Sequence, residues 1–269
     1  MRPAKFEAAV AFGRRLLGPP IVAAPRLSFD RLDVACIATA LTGFVAATVI
    51  LLDPVGFDAL AHWAPWFRRL FAGITTFGNS GIYLVPLGLA LAAGLMIPIR
   101  GRRAAAALRL VCLRLAFLFI AIAGTGLAVN AGKRLIGRLR PHHLDGDAIL
   151  QFDPLGWKSA AASFPSGHAT TAWCVAVGLG LLLGRKWFAF LAVGALLVCA
   201  SRVVLGAHFV SDVIAGGLFG GLGTLWFARF LATRRLVFRF SDDGALALRG
   251  PGAAKTLRVR LSRREAGAL

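Results

Sequence analysis

Residues 165–186 read PSGHATTAWCVAVGLGLLLGRK. No Asp, Glu, Lys or Arg interrupts the run from Pro165 to Gly184, and it stops at the pair Arg185-Lys186. An apolar segment opened by a Pro-Ser-Gly turn and closed by cations suits the hydrocarbon of a bilayer. The pattern recurs on both sides. Long, largely uncharged runs bounded by Arg, Lys or Pro lie at 34–52, 82–99, 115–131, 168–183, 187–205 and 209–231, and about 20 such residues cross roughly 30 Å of hydrocarbon. The expectation is an all-α, polytopic membrane protein: a bundle of six transmembrane helices whose short loops make neighbours antiparallel.

Composition supports this reading. Of the 269 residues 58% are hydrophobic and 16% charged, against about 45–50% and about 25% in soluble domains. A disordered or collagen-like chain is excluded by the apolar content and the aperiodic glycine. The net charge of +19 raises the possibility of nucleic-acid binding, but that needs cations gathered on an aqueous face, whereas here they flank apolar runs. No nucleic-acid partner is expected.

The same cations orient the chain. Residues 1–33, 100–114, 185–186 and 229–264 hold 23 of the 31 Lys and Arg, and the opposite loops and helix ends hold eight. By the positive-inside rule both termini are cytoplasmic. The expected organisation is a basic cytoplasmic N-terminal segment (1–33), a six-span domain (34–232) and a basic cytoplasmic tail (233–269), in the cytoplasmic (inner) membrane. Pro19-Pro20 breaks the only early segment that could serve as a leader, so no cleavable signal is expected. Residues 53–80, with Trp63, Trp66, Arg68 and Arg69, suit a helix lying at the interface. In the tail, 236–240 and 257–261 alternate in character around Asp242-Asp243-Gly244 and Pro251-Gly252, which suits either a small hairpin or a basic surface resting on anionic lipid.

With this orientation, the third and fifth spans end, and the fourth and sixth begin, at the outer face. Unusual polar residues collect at these four places. Lys133, Arg140 and Arg202 would repel one another unless an anion sat between them, and phosphate fits the planar fork of Arg and the point charge of Lys. Ser166 is placed to cap the fourth span, whose free N–H groups form an anion cradle. Gly167 lets backbone approach a phosphate, and His168 stands beside the same oxygens. His208 and Asp212 are four apart; on a helix they share a face, so the carboxylate can take the Nδ1 hydrogen and leave Nε2 free as a nucleophile.

Together, Lys133-x6-Arg140-Pro141, Pro165-Ser166-Gly167-His168 and Ser201-Arg202-x5-His208-x3-Asp212 resemble the three motifs of the type 2 phosphatidic acid phosphatase superfamily, the integral-membrane lipid phosphate phosphatases. The resemblance implies a metal-independent phosphomonoesterase or diphosphatase with no cofactor. In it His208 would attack phosphorus to form a phosphohistidine and Asp212 would orient His208. His168 would protonate the leaving oxygen and then activate water, while Lys133, Arg140, Ser166, Gly167 and Arg202 hold the phosphate. It also implies an active site at the periplasmic or outer face and a lipid substrate: undecaprenyl diphosphate, phosphatidylglycerol phosphate, phosphatidate or a lipid A phosphate. A lipid phosphotransferase of the same fold and a non-catalytic lipid-binding or transport protein are the alternatives.

Other signals weigh less. The stretch from Gly126 to Lys133 has the wrong spacing for a P-loop, and Arg134 stands where Ser or Thr should be. Gly180, Gly184, Gly216, Gly217, Gly220 and Gly221 have the spacing of close helix packing. His142 and His143 read as a solvated loop pair, and Asp145, Asp147 and Asp153 lack the Gly and Glu of an EF-hand. The four cysteines, 36, 112, 174 and 199, read as small buried side chains, and no metal site is expected.

Overall fold

The computed structural model describes residue 10 and residues 13–25, 31–98, 101–144 and 149–250. Each of the six apolar segments is a helix. They are α1 (Arg31–Leu51), α4 (Gly81–Met96), α5 (Arg102–Ile136), α6 (Gly167–Leu183), α7 (Arg185–Val204) and α8 (Val210–Thr233). Between α1 and α4 lie α2 (Asp53–Asp58) and α3 (Pro65–Ile74), each with proline in its first turn, where the missing N–H costs nothing.

This is an all-α helical membrane protein with four candidate spans: Pro65–Met96, Arg103–Ile136, Arg185–Val204 and Val210–Thr233 are long and apolar enough to cross a bilayer. The first of these joins α3, the turn Thr75–Gly78 and α4. The apolar part of α1, Ala35–Leu51, and α6 are shorter. The 17 residues of α6 rise about 26 Å at 1.5 Å each, because Pro165 precedes the helix and Gly184, at φ 110°, ends it. By contrast α5 runs for 35 residues, well beyond the expected 115–131. Residues 102–114 are rich in Ala, Leu and Arg with no Gly or Pro, so nothing stops the helix there.

Buried helix α6 is the centre of the bundle, packed against α5, α7 and α8. The glycines of α8 allow the approach: a Cβ on Gly216 would stand 2.3 Å from the Ser166 carbonyl oxygen and one on Gly220 2.3 Å from that of Thr170. Across this seam Thr170 Oγ1 donates to the Gly216 carbonyl (3.0 Å) and Cys174 Sγ to that of Gly220 (3.4 Å). Small residues and side-chain donors are what hold helices together where lipid removes the hydrophobic drive. Of the cysteines only Cys174 is buried; Cys36 is exposed on α1, where it faces away from the bundle instead of filling a core position.

The tail departs from the helical scheme. Antiparallel strands β1 (Phe238–Phe240) and β2 (Leu246–Leu248) pair Phe238 with Leu248 around Asp242-Asp243-Gly244. So β1 falls in the expected first segment, but its partner is nearer than 257–261, which lies outside the described residues. Phe238, Leu246 and Leu248 are buried with Phe117 and Leu231. The N-terminal segment meets the same end of the bundle: Arg234 donates to the carbonyls of Leu16 and Gly18, and the amides of Ile21 and Val22 to that of Thr233.

Candidate active site

At the opposite end of α8 the polar residues of the three motifs converge. Lys133 sits in the last turn of α5, which closes on Gly137 in the left-handed region (φ 66°); the Gly137 amide donates to the Lys133 carbonyl at 2.9 Å. A Cβ at Gly137 would fall 1.9 Å from the Asp153 carbonyl oxygen, so only glycine fits. The chain then runs extended. Arg138 bridges to Phe152, the Leu139 amide donates to Gln151 O and the Arg140 amide to Ala160 O.

The second motif is tied to both others. Ser166 caps α6, its Oγ accepting from the Ala169 amide at 3.5 Å, and its own amide donates to the Asp212 carbonyl at 2.9 Å. A Cβ on Gly167 would lie 3.6 Å from Lys133 Nζ, so the ammonium rests over bare backbone. The third motif closes the ring: the amides of Ala207 and His208 both donate to the Arg202 carbonyl, at 3.0 and 3.2 Å. Lys133, Arg140, Arg202 and His208 are all electrostatic neighbours of His168.

The cations are not neutralised by one another's surroundings. Among the described residues, Nε of Arg140 and Nε of Arg202 are buried without a hydrogen-bond partner. Burial lowers the Arg140 pKa from its usual value, with Asp212 opposing that shift. Arg140 and Arg202 both act on His168 electrostatically, and because buried donors are almost always satisfied, two open guanidinium donors near Lys133 and the α6 N-terminus suit an oxyanion.

His208 is 2% exposed. Its pKa is pushed down to about 4, chiefly by burial, with Asp212 opposing and Lys133 and Arg202 adding to the fall. The ring is therefore neutral at physiological pH. It lies outside the helix, since α8 begins at Val210, and the link to Asp212 is not the short bond that helical spacing suggests: Nδ1 to Oδ2 is 3.6 Å. Asp212, at the third helical position, instead uses Oδ2 to cap the Phe209 amide (2.9 Å) and to accept from Ser163 Oγ (2.5 Å). Ser163 Oγ is itself 3.5 Å from His208 Nδ1.

Several neighbours carry no local sequence signal. Arg138, which the sequence presents as one more outer cation, is buried between Asp53 and Asp212. Thr75 Oγ1 accepts from Arg202 Nη1 at 2.7 Å, and Gly78 packs so closely that a Cβ would meet His168 at 2.7 Å. The connection 53–80, expected merely to lie at the interface, thus supplies a wall of the site. His142 is anchored as well, its Nδ1 2.7 Å from the Gly206 carbonyl oxygen. Asp145 and Asp147 lie outside the described residues.

Comparison with known proteins is consistent with this geometry. Residues 114–236, which contain all three motifs, match the family model described as PAP2 superfamily. The chain is 41% identical over 129 residues to a lipid A 1-phosphatase of Rhizobium etli, covering 48% of this chain and 55% of that one. It is 33% identical over 167 residues to phosphatidylglycerophosphatase B of Bacillus subtilis, covering 58% and 71%. Its fold resembles the crystal structure of a transmembrane PAP2-type phosphatidylglycerolphosphate phosphatase from Bacillus subtilis, with a TM-score of 0.53 at 24% identity over 73% of this chain and 94% of that one. The chain spans about half the length of the two lipid A 1-phosphatases from Rhizobium that it matches, 55% and 52%.

Proposed function

This chain belongs to the PAP2 superfamily of membrane lipid phosphatases, and on that premise we propose that it hydrolyses the terminal phosphate of a phosphorylated membrane lipid through a phosphohistidine, without a metal ion. The observation that carries the proposal is the gathering of Lys133, Arg140, Arg202 and a neutral, enclosed His208 around His168, with the Nε donors of Arg140 and Arg202 unpartnered among the described residues. In the proposed first step Nε2 of His208 forms a bond to phosphorus as the P–O bond to the lipid breaks, and His168 gives its proton to the departing oxygen. In the second, His168 takes a proton from water, the water oxygen bonds to phosphorus, and the N–P bond breaks to release inorganic phosphate.

Lys133, Arg140, Arg202 and the α6 N-terminus, with Ser166 and Gly167, stabilise the charge that grows on the equatorial oxygens. Asp212 stabilises the imidazolium that forms when His208 attacks. Six membrane crossings, with α1 and α6 completing the four long runs, leave both termini on one side, and the excess of Lys and Arg there makes that side the cytoplasm and this site the outer face of the inner membrane. Domain limits at 34 and 232 follow from the same layout. Lipid A 1-phosphate heads the candidate substrates, because relatives with that name share up to 41% identity with the chain; phosphatidylglycerol phosphate, phosphatidate and undecaprenyl diphosphate complete the panel.

The test is phosphate release from that panel by detergent-purified protein with EDTA present, comparing wild type with His208→Ala. Release by wild type alone supports the proposal. Product that scales with an added alcohol would favour a phosphotransferase, and no turnover by folded wild type would favour a binding protein.

A further inference from the structure

Behind the His208–Asp212 pair lies an ion network that the reaction steps above do not use. Arg138 is 2% exposed and faces two carboxylates that are wholly buried. Its Nη1 donates to Asp212 Oδ1 and to Ser211 Oγ, both at 2.8 Å, and its Nη2 to Asp53 Oδ2 at 2.9 Å. Asp53 also accepts from the Ser211 amide (Oδ1, 2.8 Å) and the Ser211 hydroxyl (Oδ2, 2.6 Å). One face of the guanidinium stacks on the Phe209 ring, 4.1 Å from its centroid.

Such a network is a costly way to fill space. Each buried ion loses its hydration, and apolar side chains of similar volume commonly serve packing as well or better. What it provides is direction and charge. Arg138 occupies Oδ1 of Asp212, which leaves Oδ2 turned toward Ser163 and His208. Because Asp53 shares the guanidinium, one positive charge is set against two negative ones, and the cluster keeps a net negative charge facing the imidazole. An arginine paired with Asp212 alone would cancel the charge the imidazolium needs.

We infer that Arg138, held by Asp53, is a positioning residue for the proposed nucleophile: it fixes the Asp212 carboxylate so that this group, and through it His208, is set for attack. Asp53 begins α2, so the start of the 53–80 connection is coupled to the chemistry through a pair 85 residues apart in sequence. The inference rests on the proposed phosphatase reading.

A double-mutant cycle tests it, using full-length protein in detergent with lipid A 1-phosphate and phosphatidylglycerol phosphate as substrates. Arg138→Gln is expected to lower kcat by about 10- to 100-fold, the range for loss of a hydrogen bond to a charged group, with KM changed by less than about threefold. In the Asp212→Asn background the same substitution is expected to cost less than about threefold more, because a residue acting through Asp212 has nothing left to act through. Arg138→Lys is expected to recover little, since one ammonium cannot span both carboxylates as the guanidinium fork does.

Wild-type kcat in folded Arg138→Gln, a rise in KM in place of a fall in kcat, or full additivity with Asp212→Asn would each overturn the inference. Should Arg138→Gln not purify as a monodisperse species, Asp53→Asn, which keeps the shape and loosens the hold, takes its place: a kcat loss that vanishes in Asp212→Asn supports the inference and an independent loss overturns it. Wild type that releases phosphate from neither lipid would remove the phosphatase reading and this inference with it, whereas active wild type with an additive cycle removes the inference alone.

Discussion

Oδ2 of Asp212 lies 2.5 Å from Ser163 Oγ and 3.6 Å from His208 Nδ1, so the serine hydroxyl makes the short bond to the carboxylate that faces the imidazole. Ser163 Oγ, 3.5 Å from the same Nδ1, lies beside the pair and competes with the ring for Oδ2. Ser163→Ala is expected to lower kcat by about 10-fold, the low end for one hydrogen bond to a charged group. Asp212→Asn should cost more, about 10²- to 10⁴-fold. Steady-state kcat on one lipid phosphate decides the order; a larger loss in Ser163→Ala would make the serine, not the aspartate, the partner of His208.

Gly78 touches the site without any polar atom. A Cβ there would stand 2.7 Å from both Cβ and Cδ2 of His168 and 2.8 Å from Val198 Cγ1, distances that require something to move. Gly78→Ala should displace the His168 ring and reduce kcat by at least about 10-fold, in line with the value of a positioned acid–base group. Thermal stability of the purified protein should fall as well, since the His168 Cβ moves only with its backbone and Val198 must also give way. Unchanged kcat would mean that the His168 position is not critical.

Arg202 spends Nη1 on Thr75 Oγ1 at 2.7 Å and, among the described residues, leaves Nε without a partner. Arg202→Lys keeps the charge and loses the fork, so activity should not be rescued. Thr75→Val removes only the anchor and should cost about 10-fold in kcat/KM, the low end for one hydrogen bond to a charged group. Kinetics of both variants side by side check the pairing; a Lys variant as active as wild type would show that Arg202 acts as a point charge.

Protonation of His208 carries a definite sign. Its pKa falls from an ordinary 6.5 to about 4 on folding. Between those values the unfolded chain binds a proton that the native ring refuses. The resulting stability is fully present above about pH 6.5 and is lost as pH falls toward 4. Titration of ¹³C-labelled histidine by NMR, with His208→Ala to assign the signal, should find an apparent value far below 6.5. A His208 signal with its midpoint at 6.5 or above would contradict both the burial and the neutral nucleophile.

How far the sequence goes differs between fold and site. Each of the six apolar runs is a helix because periodic charge and Gly or Pro mark its ends, as Pro165 and Gly184 do for α6. The length of α5 was not visible, since the apolar run stops where helix propensity does not. Lys133, Arg140, Ser166, Gly167, His168, Arg202, His208 and Asp212 are legible because three short motifs sit at helix ends that meet on one face. Arg138 and Asp53 are not, because a buried ion pair between residues 85 apart leaves no spacing to read. Thr75 and Gly78 escape for a related reason: their surroundings look interfacial, and only the fold brings them to Arg202 and His168.

The most direct measurement of the central claim is capture of the covalent intermediate. Purified protein is mixed with a lipid phosphate it turns over, quenched in base to preserve a phosphoramidate, digested and analysed by mass spectrometry. Phosphate is predicted on His208 in wild type and none in His208→Ala. Phosphate release that persists in His208→Ala, with no label on His208 in wild type, would contradict the account.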